Sequence, residues 1–256
     1  FDYSFANQKE LEGDRTLGYS VGVNYKSDVE FYEDAEFNLY GKNSDQSITE
    51  LTPLQTQTGD FGTRNVLVGG MAGLAYKNAG GKLNVLRLQN GESKAGIFDY
   101  EASNVGTTFL AKQYNIEYSQ RSLTNVLLSG VNKFGENEEW ELDWRLAPTR
   151  STIDDPDVRF LRFQMDEAGE VIPKITSEVG FPARIWRTLE EYNLAGKAGV
   201  TRKHKLKEED AKLKFGVSYN FKNRDYNIRN FQINPADAVV DGDPNSLFNE
   251  ENQFSS

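Results

Sequence analysis

The sequence predicts an all-β fold: an antiparallel, up-and-down transmembrane β-barrel segment of about eight long strands from a larger barrel. Three observations predict it. The first is the stretch from Lys212 to Lys222. Leu213, Phe215, Val217, Tyr219 and Phe221 alternate without a slip against Lys214, Gly216, Ser218 and Asn220. Successive strand side chains point to opposite faces, and a helix cannot use a period of two. The stretch is also close to the roughly 9–11 residues that a tilted strand needs to cross a bilayer. The second observation is composition. Hydrophobic residues make up 38% and mean hydropathy is −0.64, yet aromatics reach 12%. A lipid-facing band alternating with a polar interior produces that mixture. The third is the order of connections. Short links fall at 9–15, 78–81, 135–138 and 202–211, and long ones at 27–64, 91–106, 148–184 and 223–256. Outer-membrane barrels sort short periplasmic turns from long extracellular loops in this way.

Taken in order, residues 1–8 place Phe1, Tyr3 and Phe5 on one face. The alternation starts at Phe1, so the beginning of the natural protein is expected to lie upstream. Residues 16–26 repeat the pattern, with Leu17, Tyr19, Val21, Val23 and Tyr25 against small polar residues and glycines. Residues 65–77 form a Gly-rich strand with Val66, Val68, Ala72, Leu74 and Tyr76 on one face, and the turn Asn78-Ala79-Gly80-Gly81 closes a hairpin. In residues 82–90, Leu83, Val85, Leu86 and Leu88 do not choose one face. Residues 107–134 read as one long strand with a bulge near Ser119–Ser122. Residues 139–147 alternate Trp140, Leu142, Trp144 and Leu146 against Glu141, Asp143 and Arg145. Val158–Gln164 reads as an outlying strand or hairpin arm, residues 185–201 as a strand, and everything after Asn223 as an acidic loop.

Composition excludes several functions. Lys plus Arg is 29 against 39 Asp plus Glu, a net charge of −10, which argues against a nucleic-acid partner. Cysteine is absent, so there is neither a disulfide framework nor a thiolate metal site. The lone histidine, His204, sits in a polar run that reads as an exposed turn. No apolar run approaches the roughly 20 residues of a membrane helix. Asp241-Gly242-Asp243-Pro244-Asn245 opens like a calcium loop, but the sixth position is Ser246 and the twelfth Asn252, so a solvated acidic loop is the preferred reading. Asp154, Asp155 and Asp157 offer oxygens to a hard cation, although Pro156 favours a rigid turn. Gly69-Gly70-Met71-Ala72-Gly73 lacks the helix and the Gly-Lys-Ser/Thr of a phosphate loop. No catalytic residue, cofactor or metal site is expected, and the chain is not read as an enzyme.

Several segments resemble a known family. Leu88-Gln89-Asn90-Gly91-Glu92-Ser93, Gln120-Arg121-Ser122-Leu123-Thr124-Asn125, Asp154-Asp155-Pro156-Asp157-Val158-Arg159 and Tyr219-Asn220-Phe221-Lys222-Asn223-Arg224 are similar to the barrel region of TonB-dependent outer-membrane receptors of the Bacteroidetes type. The resemblance implies a barrel of about 22 strands around a plug. It implies import of a scarce ligand (a metal chelate, vitamin or glycan) with energy delivered through TonB. On this resemblance the chain is expected to correspond to the middle of such a barrel, with the plug, TonB box and closing strands outside it.

On that reading the partners are the lipid of a Gram-negative outer membrane, the plug and TonB complex, and a small-molecule or glycan ligand at the outer loops. Leu17, Tyr19, Val21, Tyr25, Trp140, Trp144, Leu213, Phe215, Val217, Tyr219 and Phe221 are expected to face lipid. Glu141, Asp143, Arg145, Lys214, Ser218 and Asn220 are expected to face the lumen. The alternative is a soluble β-rich carbohydrate-binding or structural module of the cell surface, in which the same aromatics form a core or sugar platforms.

Overall fold

A computed structural model describes the chain apart from residues 14, 44–46, 48, 78–80, 105–106, 173, 176–179, 207–208, 234–240 and 249–256. Its strands are β1 (Asp2–Leu11), β2 (Arg15–Glu36), β3 (Leu39–Lys42), β4 (Leu51–Lys77), β5 (Gly81–Asn104), β6 (Thr107–Phe134), β7 (Trp140–Gln164), β8 (Ala183–Leu206) and β9 (Glu209–Gln232). All join one antiparallel, up-and-down sheet in the order β1-β2-β4-β5-β6-β7-β8-β9, with β3 pairing the upper end of β4. The sheet is open, and β1 and β9 are its edges. A single helical turn, α1 (Pro244–Leu247), follows. The eight long strands match the all-β, up-and-down expectation.

The strands are far longer than their alternating cores. β6 has 28 residues, about 90 Å at roughly 3.3 Å per residue, three times the roughly 30 Å hydrocarbon layer of a bilayer. Most of what reads as long loops is therefore strand. The 27–64 connection contains the upper half of β2, β3 and the start of β4. The 91–106 connection is the upper half of β5, and Asn104 pairs Thr107 across residues 105–106. The 148–184 connection contains the upper half of β7, including Val158–Gln164, and only 165–182 lies between strands. The residues after Asn223 continue β9 to Gln232. Link length is thus not strictly sorted between the two ends. At the lower end, residues 202–206 and 209–211 are strand, and His204 pairs Ala211 within the β8–β9 ladder instead of sitting in a turn. Of the expected hairpin turn, residues 78–80 lie outside the described residues, and Gly81 pairs Tyr76.

These segments hide their period because β2, β4 and β7 each carry an extra residue and because both faces change chemistry along their length. The bulge expected near Ser119–Ser122 is on the neighbouring strand. β6 keeps one unbroken register with β5 from Gly81↔Gly130 to Asn104↔Thr107. The pairing of β7 shifts by one on both sides, between Asp155 and Val158, and Asp157 adopts a left-handed φ of 67°. Asp154-Asp155-Pro156-Asp157 is therefore a strand bulge, not a turn. A second bulge follows Tyr32 in β2, with Asp34 at φ 50°.

The bulge in β7 decides where its upper half packs. An inserted residue reverses which parity faces which side. Below it, Trp140, Leu142 and Trp144 share a face; above it, Leu161 and Phe163 join that same face, opposite Tyr114 and Lys112. There they are fully buried beneath Ile175, Leu247 and Phe248. The main core is thus a cap on one face of the upper sheet, formed by residues of the 165–182 link and α1.

Candidate functional site

The ladder assembles the alternating stretches into one surface, because cross-strand partners point to the same side of a sheet. One row reads Val21, Ala72, Val85, Val126, Pro148, Leu194 and Phe221, with the β6–β7 ladder passing over Val126 and Pro148 between Asn125↔Thr149 and Leu128↔Leu146. The next row down reads Tyr19, Leu74, Leu83, Leu128, Leu146, Gly196 and Tyr219. Below it stand Leu17, Tyr76, Trp144, Ala198 and Val217 with two glycines between them. All eleven residues expected to face lipid lie on this side. Phe215, Val217 and Tyr219 are 67%, 68% and 65% exposed, so no second layer covers them.

This apolar belt crosses the rows diagonally. Phe221 tops the β9 stretch and shares a row with Val21, whereas the β2 stretch continues four residues further, to Tyr25. Over the six strand steps between them this is a tilt of roughly 25°, taking ~3.3 Å per residue and ~4.8 Å per strand. Barrel closure requires strands tilted against the axis.

Three aromatics cluster at the belt's lower margin. There Phe134 stacks parallel to Trp140 with centroids 6.2 Å apart, and the Arg202 guanidinium lies 5.1 Å over the Trp140 ring. Trp144 donates from Nε1 to Asn132 Oδ1 at 3.1 Å, and its indole lies across Gly130, where a Cβ would come within 2.6 Å of that nitrogen. Rings with one apolar side and one polar contact suit a water–lipid boundary.

The opposite face at the same level is small and polar. Its rows run Glu141, Thr201, Lys214; Asp143, Gly199, Gly216; Arg145, Lys197, Ser218; and Ala147, Ala195, Asn220. The six residues expected to face a lumen are therefore one field, with Arg145 3.7 Å from Asp143. The leucines that did not choose a face divide between the two: Leu83 and Val85 stand in the belt, while Leu86 and Leu88 pair Met71 and Gly69 on the polar side.

Higher on that polar side lies a wall absent from the sequence-based expectations. Phe37 meets Phe61 and Phe98 edge-on at 6.0 and 5.5 Å. Gly96 leaves room for the Phe98 ring, which a Cβ would meet at 2.4 Å. Beside them the Arg162 guanidinium lies 3.7 Å over the Tyr100 ring and 4.7 Å over Phe160, and its Nε donates to Gln113 Oε1 at 2.8 Å. Burial pushes the Arg162 guanidinium down from its ordinary value, but an arginine remains a cation throughout the physiological range. Phe37, Phe61, Phe98 and Tyr100 belong to segments that read as loops, whereas Phe160 and Arg162 lie in Val158–Gln164, read as an outlying strand or hairpin arm. Their signal is an alternation of Phe98, Tyr100 and Ala102 in β5, cut off from the Gly91 region by polar neighbours.

Asp157 anchors the β7 bulge on the belt side. Its carboxylate accepts from Arg159 Nε and Nη2 at 2.9 and 2.7 Å, and from Arg184 Nε and Nη2 at 2.7 Å each. Burial alone would raise this carboxyl; the bonds from Arg184 and Arg159 outweigh it and hold Asp157 below its ordinary value of 3.8. Asp155 instead pairs with Arg187 at 2.8 Å on the other face. The three aspartates therefore do not converge on a cation, and among the described residues no cluster of three or more acidic or histidine side chains could hold a metal ion. Asp243 caps α1 through Asn245 N at 2.9 Å, and Asp241 accepts from Asp243 N at 2.9 Å, so these carboxylates close a helical turn. Asn252 lies outside the described residues. Comparison with protein-family models, curated proteins and solved structures finds no match to this chain.

Proposed function

We propose that the chain is part of an outer-membrane, ligand-gated importer of a Gram-negative cell, a piece of a TonB-dependent receptor barrel. One observation carries the reading: an uncovered apolar belt about nine residues tall, spread over eight strands and backed by a polar face. A soluble module would bury such a face, because apolar surface removed from water contributes about 25 cal/mol per Å². Above the belt the same face is capped around Leu161 and Phe163, while Val29, Phe31, Ile116 and Phe231 stay exposed.

The parts take the following roles. The belt seats in lipid. The small polar field around Asp143, Gly199 and Gly216 faces the lumen and a plug. The Phe37–Phe61–Phe98 and Tyr100–Arg162 wall stands above the membrane, toward the outside, where a chelate, vitamin or glycan is captured. Aromatic faces and a desolvated guanidinium suit planar or polyhydroxylated ligands. No covalent chemistry is required, and energy comes from the TonB complex.

Insertion into vesicles tests the reading. A Val217→Arg substitution at mid-belt is expected to cost about 2–4 kcal/mol of folding free energy in lipid, and Leu213→Arg at the margin about 0–1 kcal/mol. Ser218→Arg, on the polar face, is expected to leave insertion unchanged. A chain that stays monomeric and cooperatively folded without detergent would sink the importer reading and favour the soluble module.

A further inference from the structure

We propose that the upper part of the β7–β9 surface carries a second ligand site, a trough that binds a neutral saccharide between Asp154, Asp225, Asn227 and Arg229 with Phe231 as its platform. The inference goes beyond the importer reading and does not depend on it. The trough lies on the opposite face from the aromatic wall around Phe98 and needs no lipid.

The trough has a volume of about 960 Å³, within the roughly 300–1,000 Å³ of small-molecule sites. The ladder explains its shape. Asp154, Thr188 and Asn227 form one cross-strand row, and Thr152, Glu190 and Asp225 form the row below. The two threonines are short and make the floor. Below them Arg150 lies 5.7 Å over the Tyr192 ring. Above them Trp186 pairs with Arg229 in the ladder, and Phe231 meets Trp186 edge-to-face at 5.5 Å. Larger side chains thus close both ends of a hollow about 20 Å long and about 10 Å across, at ~3.3 Å per residue and ~4.8 Å per strand.

The charges in the trough select the ligand. Arg150 and Glu190 already satisfy each other at 2.5 Å, and the Tyr192 hydroxyl donates to Glu190 at 2.8 Å. Two carboxylates, Asp154 and Asp225, remain with the Arg229 guanidinium and the Asn227 amide. Among the described residues none of these four side chains has a hydrogen-bond or ion-pair partner. Two carboxylates against one guanidinium leave a net charge of −1, so an anion is repelled. Among the described residues no group of three acidic or histidine side chains could hold a metal ion. Carboxylates only accept, a guanidinium only donates, and an amide does both. Adjacent hydroxyls on a neutral ring can donate to the first, accept from the second and do either with the third. The C–H face of such a ring packs on Phe231, which is 58% exposed. An extended peptide would find its donors and acceptors along the free edge of β9 instead.

A glycan array probed with the full chain in detergent tests the site. The probes are neutral glucan, xylan and mannan oligosaccharides, a sulfated counterpart of each, and an extended peptide. At least one neutral class is expected to be retained, and its sulfated counterpart more weakly. D154N/D225N should weaken retention at least tenfold, through loss of hydrogen bonds to charged acceptors, and Phe231→Ala about fivefold. The amides also relieve the repulsion between Asp225 and its cross-strand partner Glu190, so the double variant is expected to fold. Retention of no oligosaccharide, tighter binding of a sulfated or peptide probe, or retention unchanged in D154N/D225N overturns the site. The same sugars carried on a lipid in vesicles identify the source. Retention of the free sugar supports a soluble glycan, and retention only of the lipid-borne sugar supports a glycolipid headgroup. Vesicle insertion is read separately. A chain that inserts but binds no sugar loses this inference alone, whereas one that binds sugar but does not insert loses the membrane reading and keeps the site.

Discussion

Asp157 shows how one residue can set the packing of a strand. Its left-handed backbone makes the β7 bulge, and its carboxylate collects two arginines that hold the bulge in place. Asparagine tolerates that backbone conformation, so Asp157→Asn removes the charge while keeping the turn. The folded carboxyl is held below its ordinary value, so it binds protons less readily than in the unfolded chain. Its contribution is therefore complete above the ordinary carboxylate range and is lost as pH falls through the folded value. Denaturant unfolding is expected to show D157N less stable by about 1–3 kcal/mol at pH 7. The gap should close in strong acid, where the native aspartate is also neutral. A gap that persists unchanged at low pH would mean that the charge is not what Arg159 and Arg184 recognise.

The elements divide into stretches legible from sequence and stretches that were not, for a physical reason. Lys212–Lys222, residues 16–26 and 139–147 announce themselves because one face must be greasy and the other need not be. Above the belt that asymmetry ends. On β5 the belt face passes from Leu83 and Val85 to Arg87 and Gln89, and the apolar side chains Phe98 and Tyr100 appear on the opposite face. An alternation that changes sides or is broken by a bulge looks like a loop, which is why the upper halves of β2, β5 and β9 and the start of β4 read as loops, and β7 shows only Val158–Gln164 as a candidate strand. The sequence-based expectation places the bulge in β6, yet Leu110, Tyr114, Ile116 and Val126 all have even numbers, and a single parity needs no register change. Pairing partners, not the strand's own sequence, reveal where the extra residue lies. Deleting Pro156 tests the role given to it. The shortened β7 should turn Leu161 and Phe163 away from Ile175, Leu247 and Phe248, and proteolysis of the 165–182 link should accelerate by at least tenfold. Unchanged protection would show that the cap does not depend on the bulge.

At the scale of the whole molecule, the two edges and the two faces define what the chain is for. An open antiparallel sheet with long strands at its edges invites pairing with further strands, and the diagonal belt is the geometry of a sheet that curves toward closure. The faces differ by level: apolar and bare below, capped around Leu161 and Phe163 above, with the small polar field and the aromatic wall stacked on the reverse side. The importer proposed for this chain would draw on all four regions. The most direct test labels the stretch from Lys212 to Lys222, one position at a time. The chain has no cysteine, so each substitution creates a unique attachment point for a spin label. In vesicles, positions 213, 215, 217, 219 and 221 are predicted to be open to lipid-dissolved oxygen, and positions 214, 216, 218 and 220 to a water-soluble nickel chelate, with a period of two. Nickel reaching both sets alike, or odd positions shielded from both reagents, would contradict the account.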